Sequence, residues 1–361
     1  MHSTSSSHSS LPAALGFAAL GLLSLGLSAA PAQAQTQDLF ASDLYGGTIS
    51  RFAGTGSGTF STTAIPLSGG LNSPAGLAFD SRGNLFVANS SGSDSITEFA
   101  AGATPGTFGT GKVVLSGGGL NALTGLAFDS RGDLFVGNAH GNSITEFAAG
   151  NTLGTFGAGT VALTGGGLNY PIGLAFDARG DLFAANGNSN TITEFAFTPG
   201  VGGAAGTFGT ATLLTGGGLA EPYDLAFDAR GDLFTSNVLG TTITEFAFNS
   251  GAGTFGAGVV AATGLNSPAG LAFNAQGDMF VGSYNGGTIT KLAFTPGAGA
   301  TPGTFGTGKV VETGLSTPAY LAFSPLPSAP VPEASTTVSL GLLLALGLGG
   351  VVVAARKRRK A

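Results

Sequence analysis

Five tyrosines and one histidine are the side chains of this sequence best suited to recognising a ligand. A tyrosine offers an apolar ring face and a polar hydroxyl, which suits stacking on a sugar or anchoring a protein partner. Glu221 and Asp224 flank one of these tyrosines and add carboxylates to the group. The candidate ligand-binding residues are Tyr45, Tyr170, Tyr223, Tyr284, Tyr320, His140 and Asp224.

Other residue types restrict the chemistry open to the chain. The absence of Cys excludes disulfides, zinc–thiolate sites and cysteine nucleophiles. No paired carboxylates stand out as a general acid and base, and His140 falls in a loop. We therefore predict no catalytic residues, and an enzyme is the less favoured interpretation.

A repeat organises the sequence that must position these side chains. The string Leu-Ala-Phe occurs six times, at intervals of 46 to 51 residues. Two further markers recur between its copies, a DLF-like string and an ITEF-like string, and GTF followed by an apolar segment closes the unit. The residues before the Leu-Ala-Phe strings are Gly76, Gly125, Gly173, Asp224, Gly270 and Tyr320.

Each unit predicts four short strands. Its segments are extended, alternate apolar with polar residues and are joined by turn sequences such as Asp-Ser-Arg-Gly-Asp. Four strands in about 40–50 residues are typical of a propeller blade. The body begins in mid-unit and ends just after the sixth Leu-Ala-Phe, so a C-terminal strand should complete the N-terminal blade. We predict an all-β fold, a six-bladed β-propeller with N- and C-terminal strand closure.

This fold places the candidate ligand-binding residues together. In a propeller, the loops before the innermost strands and the loops between strands two and three open on the same face. All five tyrosines, His140, Glu221 and Asp224 lie in or beside those loops. The sequence therefore predicts one tyrosine-bearing face.

Two repeated charged motifs are interpreted as parts of the blade. Arg-Gly-Asp begins at Arg131, Arg179 and Arg230, always in the same hairpin turn, so we assign it to the turn and not to cell adhesion. The glutamates of the ITEF strings should form a solvated outer row; they are Glu98, Glu146, Glu194 and Glu245.

The repeated unit P-x-GLAFD-x-RG-[DN]-LF resembles the NHL repeat and its six-bladed relatives, across residues 38–325. Relatives similar to gluconolactonase and regucalcin hold a divalent ion in the central channel, which implies a metal-dependent lactonase-like hydrolase or lyase as an alternative function. Calcium or another divalent ion prefers oxygen ligands. The candidates, with Asp224, are Asp43, Asn138, Asn186 and Asn237, from a polar ring that also contains Asn89 and Ser283.

The first 34 residues predict a signal peptide. A polar start leads into an apolar stretch that ends in Ala32-Gln33-Ala34, a small-x-small cleavage pattern. The propeller is expected over residues 35–325 and a Pro-rich linker over 326–335.

The C-terminal segment predicts membrane attachment. Residues 336–355 form an uncharged run long enough for a transmembrane helix, and a basic cytoplasmic tail follows at 356–361. With Pro332 and Glu333 before it, this arrangement resembles the PEP-CTERM sorting signal of Gram-negative bacteria, although Ala334 replaces the usual second proline. The resemblance implies an exosortase-type partner and an exopolysaccharide context.

The charge distribution excludes one class of partner. Residues 35–332 hold 8 basic residues against 18 acidic ones, so a nucleic-acid-binding face is not expected. The favoured function is a non-enzymatic binding or scaffold module at the cell envelope, cell surface or extracellular matrix, with an exopolysaccharide or a surface protein as its ligand. The metal-dependent enzyme and a pure spacer remain alternatives.

Overall fold

A computed structural model of the chain describes residues 37–326, except 56–58, 62–64, 93, 153, 201–205 and 296–303. The predicted signal peptide, sorting residues Pro332 and Glu333, transmembrane segment and basic tail lie outside these residues. Within the described part, no helix is long and apolar enough to cross a membrane.

Six four-stranded antiparallel sheets form six blades, as the sequence predicts. Blade I contains β1 (Leu39–Asp43), β2 (Thr48–Phe52) and β3 (Ile65–Leu67). Blade II contains β4 (Pro74–Phe79), β5 (Leu85–Asn89), β6 (Ser95–Phe99) and β7 (Lys112–Ser116). Blade III contains β8 (Leu123–Phe128), β9 (Leu134–Asn138), β10 (Ser143–Phe147) and β11 (Thr160–Thr164). Blade IV contains β12 (Pro171–Phe176), β13 (Leu182–Asn186), β14 (Thr191–Thr198) and β15 (Thr207–Leu214).

The last two blades each carry an additional two-stranded hairpin. Blade V contains β16 (Pro222–Phe227), β17 (Leu233–Asn237), β18 (Ile243–Phe246) and β21 (Val259–Ala262), with the hairpin β19 (Phe248–Asn249) and β20 (Thr254–Phe255). Blade VI contains β22 (Pro268–Phe273), β23 (Met279–Ser283), β24 (Thr288–Leu292) and β27 (Lys309–Glu312), with the hairpin β25 (Phe294–Thr295) and β26 (Thr304–Phe305). The final strand, β28 (Pro318–Phe323), belongs to blade I.

The predicted closure of the ring is confirmed. Strand β28 pairs antiparallel with β1, so Leu39 lies opposite Phe323, and the resulting sheet has the order β28-β1-β2-β3. The inner strand of blade I therefore comes from the C-terminal part of the propeller and its other strands from the N-terminal part. Pairing the two ends leaves no inner strand without a neighbour.

Phenylalanines of the repeat hold neighbouring blades together. Phe86 of blade II packs edge-on against Phe128 and Phe156 of blade III, with ring centroids 5.1 and 5.6 Å apart. The same three-ring contact recurs at every junction between blades. Such edge-to-face pairs add to the stabilisation from burial of apolar area. The repeated Phe positions are thus core positions.

The Arg-Gly-Asp turns are engaged within the fold. Arg179 contacts Asp177 at 2.7 Å and Asp181 at 2.8 Å, and its guanidinium lies over the ring of Phe248 in the next blade. Arg131 and Arg230 make equivalent ion pairs. These contacts support the assignment of the motif to a structural turn.

The glutamates of the third strands are less exposed than the sequence led us to expect. Glu98, Glu146, Glu194 and Glu245 are half-buried, and the desolvation raises their pKa values. Glu194 contacts Arg179 at 3.3 Å. In blades II, IV and V, the arginine of the turn lies within 4.0 Å of the glutamate of the third strand. The repeat pattern alone does not reveal this contact.

Candidate functional site

All five tyrosines line one cavity of about 540 Å³, which we call the tyrosine cavity. His140 and Glu221 also line it, whereas Asp224 does not. Its walls come from loops of several blades, as expected for loops that open on one face of a propeller. The volume is within the range usual for small-molecule sites. The structure therefore brings the five tyrosines and His140 together, as the sequence analysis expected.

Four of the tyrosine rings contact one another in a row. The ring of Tyr284 lies 6.1 Å from that of Tyr45 and 5.9 Å from that of Tyr223, measured between centroids. Tyr223 in turn lies 5.3 Å from Tyr320. The hydroxyl of Tyr284 donates a 3.1 Å hydrogen bond to the hydroxyl of Tyr45. The row runs from the exposed Tyr45 to the buried Tyr320.

The inner end of the row lies within the ring of inner strands. Tyr320 stands where four of the other inner strands have glycine, and its hydroxyl donates a 3.3 Å hydrogen bond to the carbonyl of Ile172. Ile172 belongs to blade IV, directly opposite blade I in a closed ring of six. Burial raises the pKa values of Tyr223 and Tyr320 well above the usual tyrosine range. Both side chains therefore act as neutral hydroxyl groups.

Asp224 occupies the same position on the inner strand of blade V. Its carboxylate is buried and accepts hydrogen bonds from the backbone N–H groups of Leu225 at 3.0 Å and Leu271 at 2.9 Å. Burial raises its pKa to about 7, and the two N–H donors oppose that shift. The side chain links blades V and VI, and it is not among the residues that line the cavity.

Four residues of the cavity wall have a backbone conformation with positive φ; they are Ala122, Tyr170, Glu221 and Ser267. Tyr170 and Glu221 have positive φ values of 59° and 50°. Asn142 and Asn190 fix these loops by accepting 2.7 Å hydrogen bonds from the backbone N–H groups of Tyr170 and Glu221, respectively. The two asparagines were not predicted from the sequence, because their role depends on contacts between neighbouring blades.

The exposed His140 lies on the same side of the cavity as Tyr170. The centroids of the two rings are 5.9 Å apart. The aliphatic residues Leu44, Val238 and Leu239 complete the lining around the tyrosines, and Leu239 is 77% exposed. Sequence reasoning passed over these aliphatic residues because single apolar residues in loops carry no distinctive signal.

The polar ring proposed as a metal site is engaged in local hydrogen bonds. In blade III, the Asn138 carboxamide donates to Thr145 Oγ1 at 2.9 Å and accepts from the backbone N–H of Asn121 at 3.1 Å. Asn89, Asn186 and Asn237 repeat this pattern in their own blades. Each asparagine thereby fixes the loop that leads into the inner strand of its blade.

Asp43 has the corresponding role at the closure of the ring. Its carboxylate accepts backbone N–H groups of Gly46 at 3.0 Å and of Ser316 and Thr317 at 2.8 Å each. Because these oxygens already bind N–H donors, they do not fit a channel cation well. Across the described part of the chain, no three His, Asp or Glu residues are grouped as metal ligands would be. The four-residue metal site stays a prediction, without geometric support.

Comparison with known proteins identifies the fold but not a family. No protein-family description matches the sequence, and no curated protein matches it. The chain is similar in structure to a chain of the nidogen/laminin complex, with 18% identity and a TM-score of 0.57 over 80% of this chain and 98% of that one.

Two structures with lactonase names resemble this chain about as well as the nidogen/laminin chain does. A putative 6-phosphogluconolactonase from Bacteroides fragilis has 16% identity and a TM-score of 0.57, over 79% of this chain and 85% of that one. The periplasmic gluconolactonase of Pseudomonas aeruginosa has 16% identity and a TM-score of 0.55, over 81% and 99%. At these identities the likeness shows the fold alone, and one fold serves many functions.

Proposed function

We propose that this protein is a non-enzymatic binding module that takes its ligand in the tyrosine cavity. The observation that carries the proposal is the convergence of all five tyrosines of the chain on one cavity. Tyrosine faces and hydroxyls combine apolar contact with hydrogen bonding, so they suit the stacked rings and hydroxyl groups of a glycan. An exopolysaccharide is the ligand class that we favour over a surface protein.

The arrangement of titratable groups supports binding over catalysis. Asp224 is not among the residues that line the cavity and its oxygens bind backbone N–H groups, and His140 contacts Tyr170 from an exposed loop. A general acid and base must both reach the reacting atoms. Among the described lining residues, Glu221 and His140 are the only Asp, Glu or His side chains, and no pair of carboxylates is among them, which makes a lactonase the weaker proposal.

We further propose that the protein acts outside the cytoplasm of a Gram-negative bacterium. The signal-peptide pattern of residues 1–34 and the sorting pattern from Pro332 to the basic tail support this location. An exosortase-type enzyme would process the C-terminal segment. Replacing Glu333 by Ala in the native host tests the proposal, because cell fractionation should then show the protein retained in the membrane fraction.

Ligand binding can be measured with the protein's own fluorescence. The chain has no Trp, and its five Tyr all line the cavity, so tyrosine emission should respond directly to an occupied cavity. A glycan array identifies candidates, and a titration followed by tyrosine fluorescence gives the affinity. If no neutral or charged glycan and no matrix fraction binds, the proposed function is wrong.

Matched variants separate cavity binding from adhesion elsewhere. Tyr45 is 73% exposed, so Tyr45→Ala should weaken binding without unfolding the protein. Leu213→Ala, at a 48% exposed residue of outer strand β15, serves as the control for a lost surface side chain. Equal loss in both variants would place binding outside the cavity.

A further inference from the structure

The lining of the tyrosine cavity contains an acidic group and lacks a permanently cationic one. Glu221 lies in its wall, and no Lys or Arg is among the described residues that line it. The arginines of the described propeller pair with aspartates in blade turns or, for Arg51, with Asp38. A ligand that carries a negative charge would therefore meet the carboxylate of Glu221 in a wall where His140 is the one basic side chain among the described lining residues.

The carboxylate of Glu221 has no partner among the described residues. The backbone of Glu221 is engaged on both sides, since its N–H donates to Asn190 and its carbonyl accepts from the N–H of Val238, whereas no described group hydrogen-bonds or ion-pairs with its side chain. The side chain is half-buried, and desolvation raises its pKa. A partly desolvated carboxylate without a partner is unfavourable, and a bound cation would relieve that cost.

The backbone of the repeat places this carboxylate in the cavity wall. Glu221 lies directly before the inner strand of blade V and has a φ of 50°. The residues at the same position of blades II, III, IV and VI also have positive φ values; they are Ser73, Ala122, Tyr170 and Ser267. The loop conformation therefore belongs to the repeat, and the side chain at this position of blade V is the carboxylate that lines the cavity.

The neighbouring aromatic rings complete a site for a cation. The ring of Tyr284 contacts those of Tyr45 and Tyr223, and all three line the same cavity as Glu221. The face of an aromatic ring attracts an ammonium group, most strongly when water is excluded. A cavity lined by a carboxylate and by several tyrosine rings therefore offers an ammonium group both an ion pair and cation–π contacts.

We infer that the tyrosine cavity recognises a positively charged amine on the sugar units of its ligand, with Glu221 as the ion-pair partner. This inference rests on the proposed binding function and specifies its ligand as a glycan with free amino groups. Neutral N-acetylated glycans and acidic glycans lack the charge that Glu221 would bind. The charge on the amine would therefore distinguish glycans that otherwise share the same rings and linkages.

The test compares two oligosaccharides that differ only at nitrogen. A tetrasaccharide of β-1,4-linked glucosamine and its fully N-acetylated counterpart are titrated into the full protein, in buffer that keeps the amines protonated. We expect the free-amine form to bind at least about tenfold more tightly, as for a charge-assisted hydrogen bond. Glu221→Gln should abolish that preference without lowering stability, because no described group is hydrogen-bonded or ion-paired with the carboxylate and its removal relieves the cost of desolvation.

A charge-matched variant and the remaining outcomes complete the test. Glu146→Gln removes the same charge from a half-buried glutamate of strand β10, outside the cavity, and should retain the preference. Equal binding of both tetrasaccharides would overturn the amine inference and leave the binding function intact. Binding of neither would also overturn the inference, and the broader glycan array then decides the function separately. An unchanged preference in Glu221→Gln would exclude Glu221 as the partner.

Discussion

Tyr320 and Ile172 lie on inner strands of opposite blades and are joined by a 3.3 Å hydrogen bond from the tyrosine hydroxyl to the isoleucine carbonyl. One side chain thus crosses the ring of inner strands and forms the inner end of the tyrosine row. At Gly270, the corresponding position of blade VI, an added Cβ would lie 2.8 Å from Cα of Tyr320. The glycine at this position therefore permits the inner strand of blade VI to approach the backbone of β28 closely.

Substitution of Tyr320 should separate the contribution of its hydroxyl from that of its ring. Tyr320→Phe removes the hydrogen bond to Ile172 and should lower the free energy of unfolding by about 1 kcal/mol. Tyr320→Ala also leaves a void and should cost about 3–5 kcal/mol. Urea unfolding followed by circular dichroism measures both. Equal losses in the two variants would mean that the ring contributes nothing by packing.

Asp224 should make the protein less stable as the pH rises from about 4 to about 7. Its pKa is raised to about 7 in the fold, against about 3.9 in an unfolded chain. Between these values the unfolded state releases the proton and the folded state keeps it, so ionisation favours unfolding. The free energy of unfolding should fall by at most roughly 4 kcal/mol over this range.

The variant Asp224→Asn isolates this effect from other titrating groups. Tyr223 and Tyr320 are its titratable neighbours, and both stay neutral across this range because burial raises their pKa values. The half-buried glutamates are the same in both proteins, so the difference between the two stability curves reports Asp224. In Asp224→Asn, one of the two backbone N–H groups loses its acceptor, which lowers the free energy of unfolding by the same amount at every pH. Parallel curves would contradict the raised pKa.

The repeat predicts the fold well because its residues carry the contacts between blades. The Phe of each DLF string meets the Phe of the next Leu-Ala-Phe string, so one unit specifies its contact with the next. The phase of the repeat likewise predicts the pairing of β28 with β1. The placement of the tyrosines on one face followed from this topology alone.

The finer features of the site depend on distances that the sequence does not contain. The prediction of Asn138 as a metal ligand, which stays untested, did not anticipate that its carboxamide hydrogen-bonds Thr145 and fixes a loop. The recurrence of a threonine seven or eight residues after each such asparagine was the signal available for that role. The reach of Tyr320 to the opposite blade has no counterpart in the other repeats, so no pattern could reveal it.

Asp43→Ala should weaken the closure of the ring. Three backbone N–H groups, from Gly46, Ser316 and Thr317, would lose their charged acceptor at the start of β28. We expect a loss of about 3 kcal/mol in the free energy of unfolding. Urea unfolding measures this loss, and Asp94→Ala, which removes an acceptor for a single N–H group, serves as the milder comparison.

The same variant distinguishes structural hydrogen bonding from metal binding. If Asp43 acts only through backbone N–H groups, calcium should not raise the melting temperature of the unmodified protein, and calorimetry should record no binding heat. Stabilisation by calcium that disappears in Asp43→Ala would instead restore the metal-dependent alternative, since a ligand that binds the folded state stabilises it.

The buried tyrosines of the row should resist alkaline ionisation. Burial raises the pKa values of Tyr223 and Tyr320, and burial together with the hydrogen bond to Tyr45 raises that of Tyr284. Alkaline titration followed by tyrosinate absorbance should therefore leave at least three of the five tyrosines neutral until the protein unfolds. In Tyr320→Phe, the absorbance change that accompanies unfolding should be smaller, because one of the protected hydroxyls is missing. Ionisation of all five tyrosines at ordinary tyrosine pKa values in the folded protein would show that water reaches the inner end of the row.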